Sequence, residues 1–145
     1  MRFKVAVLVL LGAAPVFAHE GVKNPAVMAR MHGMKDIAED VKTLGQMAKG
    51  ATAFDQAAAR AAAASIAQHA AEAPGLFEAP EDDPKTEALP AIWENFDDFR
   101  AKSLELETIA LGLSTSIESV DDLPPALKAL GDNCSACHEV YRKKN

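Results

Sequence analysis

The chain has 145 residues, enough for one domain with one hydrophobic core. Asp and Glu outnumber Lys and Arg by 21 to 15, a formal net charge of −6. That charge weighs against nucleic-acid binding, which needs cations to neutralise phosphates.

In chain order, the first eighteen residues form a separate unit. Arg2 and Lys4 make a positive start, Val5 to Ala14 is mostly apolar, and Val16-Phe17-Ala18 offers small residues for cleavage before His19. This is the pattern of a secretory signal peptide, too short in its apolar stretch to span a bilayer. Cleavage would leave a domain of residues 19–145, more acidic than the precursor because the leader carries only basic charges. No later segment is long and apolar enough to insert in a membrane. Export, taken together with the motif at residues 134–138, points to a bacterial periplasm.

Four helical stretches follow, with no internal repeat. The first opens at Asn24-Pro25, a capping residue and a proline suited to the first helical position. Val27, Met31, Met34, Ala38, Val41, Leu44 and Ala48 then recur at three- and four-residue spacing until Gly50. The second runs from about Phe54 to Ala73 and is expected to end at Pro74-Gly75. It is rich in alanine, the best helix former, and its small side chains permit close approach of neighbours. Residues Gly75 to Leu89 read as an irregular, solvated loop marked by Pro80, Asp82, Asp83 and Pro84. The third helix begins near Pro90 with the stripe Ile92, Phe96, Phe99, Leu106, Ala110, Leu113 and Ile117. After a break at residues 121–125, the last helix carries Leu127, Leu130, Cys134, Cys137 and Tyr141 on one seam. Four amphipathic helices with mostly short links predict an all-α, antiparallel four-helix bundle.

The chemistry lies in that last helix. Cys134-Ser135-Ala136-Cys137-His138 contains the only two cysteines and one of four histidines. C-x-x-C-H is the attachment site of a c-type haem. At i, i+3 and i+4 the three residues share a helix face, so both thiols can form thioethers to the vinyl groups while the imidazole is offered to the iron. A disulfide or a redox-active thiol pair is the alternative in an exported protein. Thioredoxin-like pairs need a βαβ setting that this chain does not suggest, and the adjoining histidine favours haem. There is no nucleophile elbow, phosphate loop or other metal spacing. Asp82-Asp83 and Asp97-Asp98 read as solvated faces, so an enzyme is not expected.

The haem motif on the final helix of a bundle resembles the class II cytochromes c, the cytochrome c′ family and its low-spin, methionine-ligated branch. Further likeness lies in Arg30 to Lys35, Leu44 to Gly50, Phe54 to Ala58, Pro90 to Trp93 and Gly131 to Arg142. The resemblance implies one covalent haem c held by Cys134 and Cys137, with His138 as proximal iron ligand. It puts Met34, followed by Lys35, over the distal face. Two readings stay open there. Met34 ligates the iron, giving a low-spin carrier of single electrons, which is the preferred reading. Or Met34 only packs, and a five-coordinate, high-spin iron binds nitric oxide or carbon monoxide. Met31 is a lesser candidate. Met28 and Met47 are expected in the core, His32 in solvent, and His69 and His19 away from the iron.

The resemblance also implies that Arg30 meets a haem propionate; otherwise it is an exposed helix arginine. Trp93 and Phe96 either pack on the porphyrin or fill the bundle. Arg142 is expected to shield the proximal side. Lys143 and Lys144 suit a helix C-terminus better than they argue for steering an acidic partner. The implied partners are a redox donor and acceptor of unknown identity. A homodimer through the first two helices is open, and no residue forces it.

Overall fold

The computed structural model describes residues 21–144, so the signal peptide expected over residues 1–18 and His19 lie outside the described residues. Among the described residues are five α-helices and one 3-10 turn; the only extended pairing is an isolated bridge between Ala88 and Arg142. Helix α1 spans Pro25–Ala48. Asn24 caps it, its Oδ1 accepting the N–H groups of Ala26 (2.8 Å) and Val27 (3.3 Å). At the other end Gly50 takes φ +70°. That lets Gly50 N–H reach the Met47 carbonyl and Ala51 N–H the Gln46 carbonyl, the paired closure that favours glycine after a helix.

Helix α2 spans Gln56–Leu76, capped by Asp55, whose carboxylate accepts Ala58 N–H at 2.9 Å. It runs past the expected stop and contains Pro74. Proline has no N–H for the Ala70 carbonyl four residues back. Ser103 of the facing helix supplies the missing donor, its hydroxyl meeting that carbonyl at 2.7 Å. The helix therefore continues because of a tertiary bond that a local reading cannot see. Ala59, Ala63, Ile66 and Ala70 are fully buried, so α2 packs mostly through small residues against α1 and the facing helix.

The third predicted helix is two. Helix α3 is Ala91–Glu94 and α4 is Phe96–Ser116, separated by Asn95 at φ −133°, ψ 46°. The Asn95 side chain bonds the Ala91 carbonyl (3.4 Å), the local competition that makes asparagine a helix breaker. A turn at Val120–Asp122 leads into α5, Leu123–Tyr141. The Asp122 carboxylate accepts the N–H groups of Glu118 and Ser119 and the Ser119 hydroxyl, and these bonds hold its pKa below the usual carboxylate range. Pro124 and Pro125 occupy the first turn, where N–H groups lack helical partners anyway.

Helices α1, α2, α4 and α5 pack in a closed cycle of neighbours, the expected four-helix bundle. Its main core holds Leu44, Ile66, Ala110, Ile117, Leu123 and Leu130, all fully buried. Each large aliphatic side chain there contributes about 1.5–3 kcal/mol by leaving water. A second cluster joins Phe77, Ile92, Phe99 and Tyr141, with the Phe99 ring 4.9 Å from Phe77 and edge-on to Tyr141 at 5.5 Å. Met34 touches both clusters.

Candidate haem-binding site

Between the two clusters lies a cavity of about 610 Å³, walled by α1, α4, the C-terminal half of α5 and residues 86–88. Cys134, Cys137 and His138 line it from α5, and Met34 from α1. Its volume suits a cofactor, and aliphatic and aromatic side chains such as Ile37, Ile92, Phe99 and Leu106 dominate its walls.

The donor set fits a covalently held haem. Both cysteines are half-buried and unlinked to each other. Burial pushes the Cys137 thiol up to about 11 and that of Cys134 in the same direction. Redox-active thiol pairs need the opposite shift, toward a stable thiolate. His138 keeps much of its surface open to solvent. Even so, packing around the imidazole lowers its pKa, Arg142 adds to that effect and Glu87 opposes it. The neutral imidazole is the form that binds a metal.

The other sequence candidates separate. Met31 also lines the cavity, as does Lys35, which is 3.5 Å from Glu39. Met47 is buried in the main core, Met28 is half-buried away from the cavity wall, and His32 is exposed. His69 lies on α2, 3.9 Å from Glu72.

Arg30 is on the cavity wall and only 3% exposed, so it is no surface arginine. Its Nε donates to the Leu76 carbonyl, Nη1 to Glu81 and Nη2 to Ala79. The guanidinium also stacks 4.9 Å from the Phe77 ring and 5.3 Å from Trp93. Trp93 is thus one layer behind the cavity, with its indole N–H on the Phe77 carbonyl (2.7 Å). Phe96 stays half-buried, 6.0 Å from Phe99.

Arg142 lines the cavity beside His138, and its guanidinium holds Glu87 through Nε (2.7 Å) and Nη2 (2.6 Å). Lys143 does not cap the helix: its Nζ donates to the Thr86 carbonyl at 2.8 Å. The acidic pairs are not simply solvated either. Asp83 is 5% exposed and accepts the N–H groups of Lys23, Asn24 and Lys85, which lower its pKa. Asp98 accepts the Tyr141 hydroxyl at 2.6 Å. Burial, and then that bond, push Tyr141 up to about 12.

Sequence reasoning missed Phe77, Glu87 and Lys102 as cavity-lining residues. Phe77 was hidden in a loop without periodicity. Lys102 sits off the apolar stripe of α4, and Glu87 meets its partner 55 positions away.

Comparison with known proteins agrees with this geometry. A family model described as Cytochrome C′ matches residues 25–142. Cytochrome c-556 of Agrobacterium tumefaciens (strain apple 185) is 38% identical over 117 residues, spanning 80% of this chain and 93% of that protein. Among solved structures, Rhodopseudomonas palustris cytochrome c′ aligns with a TM-score of 0.78 at 29% identity, covering 85% of this chain and 99% of that one. Oxidized R. palustris cytochrome c556 aligns at 0.76 and 30% identity, covering 85% and 99%. The chain therefore belongs to the cytochrome c′ family, whose members bind haem c covalently and serve as electron carriers or gas binders.

Proposed function

We propose that this chain is a periplasmic one-haem electron carrier, not an enzyme. Cys134 and Cys137 would hold the haem by thioethers, and His138 and Met34 would bind its iron. The observation that carries this reading is that Met34 from α1 lines the same cavity as the C-x-x-C-H residues of α5. Met34 also packs against both core clusters, which limits the freedom of its side chain. A haem iron held between an imidazole nitrogen and a thioether sulfur is low-spin, favours the ferrous state and exchanges one electron with little rearrangement.

The remaining residues support that site. A guanidinium has five N–H donors. The carbonyls of Leu76, Ala79 and Glu81 engage three of those on Arg30, and we assign the other two to a haem propionate. Trp93 acts at one remove, by packing on Arg30. Arg142 shields the proximal side. The periplasmic assignment rests on the leader at residues 1–18; no described helix is long and apolar enough to cross a membrane. Electrons pass between a donor protein and an acceptor protein, and a homodimer through α1 and α2 is compatible with the small side chains of α2.

The visible and near-infrared spectrum of the ferric protein tests the ligand set. The reading expects a low-spin spectrum with a sulfur-to-iron charge-transfer band that Met34→Ala abolishes. A high-spin spectrum with ready carbon monoxide uptake, unchanged by Met34→Ala, would assign five-coordinate iron and a gas-binding distal face instead.

A further inference from the structure

One wall of the cavity comes from chain pairing outside the helices. Residues 86–89 run antiparallel to the C-terminal tail. Leu89 N–H donates to the Tyr141 carbonyl at 3.0 Å, Lys143 N–H to the Glu87 carbonyl at 2.8 Å, and Ala88 faces Arg142. Chain ends fray unless tied down; this one is held on both sides of Arg142. The pairing brings the Glu87 carboxylate onto the Arg142 guanidinium at 2.6 and 2.7 Å. Arg142 N–H in turn closes the last turn of α5 on the His138 carbonyl at 3.1 Å. Glu87, His138 and Arg142 all line the cavity.

We propose that the Glu87–Arg142 ion pair places two cancelling charges beside His138, so that neither charge shifts the reduction potential of the iron while the other is present. This inference rests on His138 binding the iron, as in the functional reading above. A cation near the iron disfavours the more positive ferric state and an anion favours it, so the intact pair is nearly silent and either half alone is not. Surface ion pairs of this kind contribute little to stability. The two side chains are 45% and 42% exposed, so solvent screens but does not erase their fields.

Spectroelectrochemical titration of the holoprotein tests the pair. Glu87→Gln leaves the cation and should raise the midpoint potential; Arg142→Gln leaves the anion and should lower it. At an ambient potential equal to the wild-type midpoint, the reduced-to-oxidised ratio should change roughly fourfold in each direction. That is the effect of one unit charge over about 10 Å at an effective dielectric constant of about 40. The double variant should return close to wild type. If the pair only latches the tail, both single variants move the potential the same way or not at all, and the proposal is overturned. A wild-type chain that carries no haem overturns the functional reading first and this one with it.

Discussion

Replacing Arg30 tests whether its fork organises the loop at residues 76–81. Three hydrogen bonds from a charged donor contribute about 1.5–3 kcal/mol each, an upper limit near 9 kcal/mol. Two effects reduce that sum. Burial lowers the Arg30 pKa, against the pull of Glu81, so the native charge carries a desolvation cost that Arg30→Met removes. The loop also lies at the surface, where exposed Ala79 and Glu81 can turn their carbonyls to water. A net loss of roughly 3 kcal/mol remains, a shift of about 2 M in the urea midpoint at a slope of about 1.5 kcal/mol/M. Arg30→Lys should do no better, because it keeps the buried charge but its single nitrogen cannot span carbonyls that three separate guanidinium nitrogens reach. Urea unfolding followed by far-UV circular dichroism, with limited proteolysis across residues 77–90, reads both effects. A lysine variant as stable as wild type, or a methionine variant within about 1 kcal/mol of it, would show that the fork does not organise the loop.

Two other perturbations follow from the same contacts. Ser103→Ala strands the Ala70 carbonyl beside Pro74 and should cost about 1–2 kcal/mol. In a Pro74→Ala background the helix supplies its own donor, so a double-mutant cycle should give a coupling of about 1 kcal/mol, and a coupling of zero would break the link. Asp83 has a folded pKa below its unfolded value, so its stabilisation is present above the ordinary carboxylate range and is lost as pH falls through the folded pKa. Asp83→Asn should therefore melt below wild type at pH 7 and converge with it on acidification. A gap that stays constant down to pH 2 would contradict that sign.

Local signals were legible where the chemistry is local. Asn24-Pro25 and Gly50 mark the two ends of α1 because capping depends on neighbours in sequence. The seam of α5 puts Cys134 and Cys137 on the cavity wall because a helix repeats every 3.6 residues. What stayed hidden depends on distant partners. Pro74 is tolerated because Ser103 is across the interface. Asp83 is buried because the start of α1 brings two N–H donors to it. Arg30 reads as a helix residue at the surface or at a propionate. Of its three carbonyl partners, Leu76 ends α2, and Ala79 and Glu81 belong to a loop with no periodicity to announce where it folds back.

Intact-mass measurement of mature protein made with working haem-ligation machinery tests the central claim most directly. The account predicts the polypeptide mass plus one haem, and loss of that addition when Cys134 and Cys137 are both replaced by alanine. A wild-type chain that weighs only its polypeptide would contradict it.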